Sequence, residues 1–135
     1  MIVNNNSDHI YNYRVVLGDV DNDGKLDIVS PNYRSTDSYF MLLNDGVGNF
    51  SQSEQTFGGY FTSVALGDIN GDNNLDAFIV KKAGNQVWLN DGAGHFSDSG
   101  QLLGTGNSIK VVLGDLDNDN DLDAFVITHG YDMVW

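Results

Sequence analysis

Val15 to Ser30 read VVLGDVDNDGKLDIVS: a short apolar run, a dense acidic loop, then a second apolar run. The pattern returns as VALGDINGDNNLDAFIV from Val64 and as VVLGDLDNDNDLDAFVI from Val111. Its Gly-Asp step falls at Gly18–Asp19, Gly67–Asp68 and Gly114–Asp115, with spacings of 49 and 47 residues. A second marker follows the first two copies. It reads LLNDGVGNF from Leu42 and WLNDGAGHF from Trp88, 46 residues apart.

A repeat of this length in a β-type sequence has the period of a propeller blade. Each unit reads as four short strands. The first is VVL or VAL, a run expected to be an inner, fully buried strand. The second follows the acidic loop, over Leu26–Ser30, Leu75–Val80 and Leu122–Thr128, where β-branched and aromatic residues collect. The third covers Tyr39–Leu43, Gln86–Leu89 and Asp132–Trp135. An Asn-Asp-Gly step then predicts a tight hairpin, and a fourth strand begins at Phe50 or Phe96. No stretch sustains a 3.6-residue period, so the expected fold class is all-β, with about three four-stranded antiparallel blades.

Counting forward from Asp115, the third Asn-Asp-Gly turn would fall near 137–140, beyond Trp135. The expected domain is therefore a single array of blades at about 14–60, 61–107 and 108–135. The last is completed by an N-terminal strand from 1–13. Three blades do not close a ring, since propellers use roughly 4–8. Either the chain is a piece of a longer one, or identical chains complete the ring. The sequence reading favours a homo-oligomer, a dimer of six blades above others.

Composition narrows the function. Of 135 residues, 41% are apolar, enough for a buried core. The 19 acids, all but one of them Asp, against six bases give a net charge of −13. Sixteen Gly and sixteen Asn accompany them. Asp, Asn and Gly together signal turns rather than helix surfaces. A field of this sign repels phosphate, so nucleic acid is not an expected partner. The lack of Cys excludes disulfides, thiolate zinc sites and a Cys nucleophile. No apolar run reaches 18 residues, so no membrane-spanning helix is expected. Residues 1–13 lack the regions of a signal peptide, so any export signal would lie outside this sequence.

The acidic loops carry the candidate chemistry. Asp19, Asp21, Asp23 and Asp27 stand at positions 1, 3, 5 and 9 of the first loop. Asp68, Asn70, Asp72 and Asp76 fill those slots in the second, and Asp115, Asp117, Asp119 and Asp123 in the third. Alternate spacing lets a curled loop aim successive side chains at one centre, as in EF-hand loops. Gly24, Asn73 and Asn120 at position 6 suit the sharp turn this needs. Hard oxygen donors in this number favour Ca²⁺, about three ions per chain. Three ions would move the formal charge from −13 to −7. Asn70 lowers the charge of the second loop, which should bind more weakly.

The pattern LGDxDxDGxxD, with a strand and then LNDGxGxF, resembles the FG-GAP or VCBS repeat over essentially residues 14–135. The resemblance implies a β-propeller of the kind seen in integrin α-subunit heads and certain fungal lectins. It implies calcium ligation by the side chains named above and by the backbone at position 7, which is Lys25, Asn74 and Asp121. It also implies binding of proteins or sugars at the surface.

The expected function is a non-catalytic, calcium-stabilised, self-assembling module for protein or carbohydrate binding, extracellular or at the cell surface. The rival readings are a polysaccharide lyase or hydrolase on this scaffold, and a purely structural or designed propeller fragment. His9, His95 and His129 occupy different parts of the repeat and make no catalytic constellation. Tyr33-Arg34-Ser35 and Gly58-Gly59-Tyr60-Phe61 offer a sugar site, although exposed turns and blade packing explain them more simply. Lys81-Lys82 reads as a solvated strand end. Trp88 and Trp135 share one repeat position, which suggests packing between blades.

Overall fold

Asp76–Val80 are all buried, and they form an interior strand of the central sheet. Side chains alternate across a strand, so burial on both faces requires a neighbour on each side. Ala77 and Ile79 face one neighbouring sheet, while Phe78 and Val80 face the other.

The computed structural model describes residues 15–31, 41–59, 61–104 and 106–135. Among these there is no helix, and three antiparallel sheets follow one another along the chain. Blade 1 runs β1 (Val16–Gly18), β2 (Asp27–Val29), β3 (Met41–Asn44) and β4 (Phe50–Gln52). Blade 2 runs β5 (Ser63–Gly67), β6 (Asp76–Val80), β7 (Asn85–Asn90) and β8 (Phe96–Leu103). Blade 3 contains β9 (Ser108–Gly114), β10 (Asp123–Thr128) and β11 (Met133–Val134). Within each blade, strands adjacent in sequence are adjacent in space, the meander expected of a propeller. The N-terminal strand assigned to complete blade 3 lies outside the described residues, as do His9 and Tyr33-Arg34-Ser35.

Blades 1 and 2 enclose a core of Val20, Val29, Met41, Val64, Ile79 and Phe96. Phe57, on the connection between these blades, is 1% exposed. Its ring meets Phe61, Trp88 and Phe96 edge-on at centroid distances of 5.9, 5.4 and 5.2 Å. Each such pair adds about 0.5–1.5 kcal/mol beyond area burial. Phe61 therefore belongs to the core, in line with the simpler reading of Gly58-Gly59-Tyr60-Phe61 as turn and blade packing, while Tyr60 lies outside the described residues. Blades 2 and 3 share a second core containing Phe78, Val80, Val111 and Val126.

The shared repeat position of the tryptophans is visible in the register. Trp88 pairs with Ala77, and Trp135 exchanges backbone hydrogen bonds of 2.7 and 3.1 Å with Ala124. Trp88 packs against the first core as expected.

Three local expectations are corrected. The first strand of each unit is not fully buried: Leu17 is 59% and Val112 49% exposed. These strands are sheet edges, and β1, β5 and β9 together line a groove of about 590 Å³. The Asn-Asp-Gly step does turn the chain into a hairpin, but a longer one than the tight turn expected. Asn44 pairs with Phe50 and Asn90 with Phe96, which leaves five-residue connections. Asp45 and Asp91 brace them by accepting backbone N–H from Val47 and Asn49, and from Ala93 and His95. Finally, Lys81 is only 8% exposed. Its ammonium donates to the carbonyls of Phe57 and Gly58 and to Gln86 Oε1, and it lies 5.7 Å from the Trp88 ring centroid. Burial pushes its pKa down. Lys82 is exposed as expected.

Candidate metal centres

Each acidic loop joins the first two strands of its blade and is shaped by left-handed residues. Position 6 is left-handed in all three, at Gly24, Asn73 and Asn120, with φ of 84°, 69° and 74°. Position 4 is left-handed as well, at Asn22, Gly71 and Asn118, with φ of 57°, 78° and 63°. Only Gly and Asn adopt such angles cheaply. This second left-handed site escaped the sequence reading, although the Asn/Gly choice at position 4 was its signal.

Position 1 curls the loop. Asp19 accepts N–H from Asp23 and Gly24 at 3.0 and 2.8 Å, and Asp68 accepts from Gly71, Asp72 and Asn73. Asp115 accepts from Asn118 and Asn120. Position 5 holds the N–H of position 7: Asp23 with Lys25, Asp72 with Asn74, Asp119 with Asp121.

Position 9 ties the loop to the rest of the blade. Asp27 and Asp76 are completely buried. Asp27 accepts from Val20 at 3.0 Å and from Asn44 at 2.9 Å. Asp76 does the same with Ile69 at 3.0 Å and Asn90 at 2.9 Å, spanning the loop and the third strand. Asp123 is part-exposed and accepts from Leu116 at 2.7 Å. These carboxylates satisfy backbone donors that would otherwise be orphaned, so they have a structural task whether or not an ion is bound.

The carboxylates converge differently in the three loops. Asp19, Asp21 and Asp27 each offer an oxygen within 4.8 Å of the others, and so do Asp115, Asp117 and Asp119. Oxygens this close can share one Ca²⁺ at the usual 2.3–2.6 Å, and the donor set is wholly hard oxygen. Asp23 is instead taken by Lys25, with Nζ 2.7 Å from Oδ2. The second loop brings no three acidic residues together among those described, because its position 3 is the neutral Asn70.

Electrostatics follow the same division. Burial, then the charges of Asp27, Asp23 and Asp19, push the Asp21 carboxyl up. The charge of Asp119, then burial and the charges of Asp123 and Asp115, push Asp117 up. Asp72 moves the other way, held below its ordinary value by the Asn74 N–H and the Asn70 side chain. The Lys25 ammonium likewise lowers Asp23. Crowded carboxylates thus carry a cost in the first and third loops that a bound cation relieves.

A family model, the FG-GAP-like repeat, matches residues 19–79 and again residues 68–126. The chain belongs to the FG-GAP-like repeat family. Both FG-GAP matches begin at position 1 of an acidic loop and end on the second strand of the next unit, at Ile79 and Val126. Each match therefore runs from the acidic loop of one blade into the first two strands of the next. FG-GAP repeats build propeller-type modules, which agrees with the stacked meanders seen here. Comparison with curated proteins and with solved structures finds no match.

Proposed function

We propose that this chain is a calcium-stabilised, non-catalytic propeller module of adhesion or lectin type, working outside the cell or at its surface. The observation that carries the reading is the pair of carboxylate trios, Asp19/Asp21/Asp27 and Asp115/Asp117/Asp119. In the first loop an ion would be held by the trio together with the backbone of Lys25 and, once Lys25 lets go, Asp23. In the third it would be held by the trio, Asp123 and the backbone of Asp121. Asp68, Asn70, Asp72, Asp76 and the backbone of Asn74 make a weaker third site, so three ions is the upper stoichiometry. A divalent ion there neutralises the crowded carboxylates and pins the turn between the first two strands. Because it binds only the folded loop, it adds its binding free energy to the fold.

An extracellular setting suits loops of modest affinity, since extracellular modules work at 10⁻⁴–10⁻³ M Ca²⁺. A protein or carbohydrate ligand would contact the variable loops at the propeller faces. His95 and His129 are exposed and lie on separate turns, which favours binding over catalysis.

Calorimetric titration of chelator-stripped protein with Ca²⁺ tests the reading. Two comparable binding events and a weaker third are expected. Absence of any saturable heat, with the protein folded, would overturn it.

A further inference from the structure

The junctions between blades repeat one contact. A methyl group placed on Gly18 would lie 2.7 Å from Leu75 Cδ1 and 2.9 Å from Leu66 Cδ1. A methyl placed on Gly67 would lie 2.7 Å from Leu122 Cδ1 and 3.1 Å from Leu113 Cδ1. In both junctions the glycine ending the first strand of one blade is the socket for two leucines of the next. Those leucines hold the same two repeat positions, just before the Gly-Asp step and just before the position-9 Asp.

Among the described residues the series has an open socket and an unplaced pair. Gly114 is the third glycine, and no described residue comes within 4 Å of a methyl built on it. Leu17 and Leu26 are the first leucine pair, and they are 59% and 57% exposed. The residues around each follow the same gradient. Val20 is fully buried beside the first junction, whereas its blade-3 counterpart Leu116 is 56% exposed. Phe78 and Val80 are buried, whereas their counterparts Phe125 and Ile127 are half-buried. Polar groups repeat the picture. Asn90 Nδ2 donates across the first junction to Val20 O at 2.8 Å and within its own blade to Leu75 O at 3.1 Å. Its counterpart Asn44 makes the second of these bonds, to Leu26 O at 3.0 Å.

We propose that the Gly114 socket receives Leu17 and Leu26 of a second copy of this chain, joining two copies head to tail. In that joint Asn44 Nδ2 of one copy donates to Leu116 O of the other, as Asn90 does to Val20. The contact is heterologous, and two such joints close a two-fold ring of six blades, within the known propeller range. Continuity with the two junctions already built into the chain argues for this occupant, because both halves of the missing joint are present in one sequence. The proposal rests on the propeller reading and is independent of the calcium reading.

Sedimentation at micromolar concentration, with calcium in excess, tests it. The expected species has twice the 14.7 kDa of the chain. Gly114→Leu fills the socket and should leave a folded monomer, since Gly114 has no left-handed φ and the space beside it is open. Leu17→Asp/Leu26→Asp should do the same from the opposite face. Mixing the two variants restores one intact joint, so a dimer should reappear, which a face-to-same-face contact would not produce. Should Gly114→Leu prove unfolded, the Leu17→Asp/Leu26→Asp chain decides alone. A folded wild-type monomer, whose end faces would then belong to further blades or to another protein, overturns the proposal. So does a dimer that persists in either variant. Ion binding is followed separately by calorimetry. A calcium-loaded monomer counts against the joint alone, and a dimer that binds no calcium counts against the ion alone.

Discussion

Lys25 reaches back across its own loop to hold Asp23, with Nζ 2.7 Å from Oδ2. The partners shift together, Lys25 upward and Asp23 downward, chiefly through this one hydrogen bond. The carboxylate at the fifth position of the loop is thus held by a cation of the chain itself. Lys25→Ala should release Asp23 and raise the calcium affinity of the first loop, by about threefold to tenfold as expected for removing a like charge beside a screened site. Calorimetry resolves the change, and an unaltered affinity would show that Asp23 takes no part.

Acid should weaken ion binding. Asp21 and Asp117 have folded pKa values above the ordinary 3.8. In the metal-free fold these groups bind protons more tightly than in the unfolded chain, so their repulsion costs stability at neutral pH and fades as pH falls through the raised values. Calcium competes with those protons. Its dissociation constant should rise steeply as pH drops from neutral towards the raised values, and a flat profile over that range would contradict the crowding. Asp23, Asp72 and Asp91 have lowered values and work in the opposite sense. They stabilise the fold above the ordinary carboxylate range and lose that contribution as pH falls through their own values.

Chelation should lower the melting temperature. At a hundredfold excess over the dissociation constant, each independent site adds about 2.7 kcal/mol. For a chain of this size one site then corresponds to roughly 10 °C. Thermal scans in EDTA and in excess Ca²⁺ measure the difference, and superimposed curves would exclude a stabilising ion.

The position-9 aspartates should differ in their structural value. Asp76→Ala strands the buried N–H of Asn90 and the part-buried N–H groups of Ile69 and Asn70, at about 1–3 kcal/mol for a fully buried donor. Asp123→Ala strands only Leu116 among the described donors, in a part-exposed place, and should cost less. Urea unfolding of the two variants, both in EDTA, would reveal the order. Equal losses, with no ion present to contribute, would show that the buried clamp at Asp76 is worth no more than the part-exposed one at Asp123.

Much of the fold was legible because two periods coincide. The short run of β-branched and aromatic residues in Leu75–Val80 announces a strand, and the return of Gly-Asp at Asp68 and Asp115 fixes where each strand must begin. The loop was readable for the same reason, since Asp, Asn and Gly state their own backbone angles. What could not be read is set by contacts distant in sequence. Lys81 looks like a solvated end because Lys82 follows it. Only the fold brings Phe57 O, 24 residues away, to its ammonium. Asp23 was indistinguishable from Asp21 until Lys25 turned towards one of them.

Lys81 and Lys82 therefore make a direct comparison. Lys81→Ala leaves the Phe57 and Gly58 carbonyls without their donor and removes the cation beside Trp88, a loss of about 1–3 kcal/mol. Lys82→Ala should stay within about 0.5 kcal/mol of the parent. Equal effects in chemical denaturation would show that the buried ammonium contributes nothing.

The glycine-and-leucine junction has a bearing on ancestry. Because both halves of the joint are encoded in every unit, duplicating a unit within the gene adds a blade that already fits its neighbours on either side. Blade number can then grow or shrink by whole units through recombination, without any new side chain being invented at the seam.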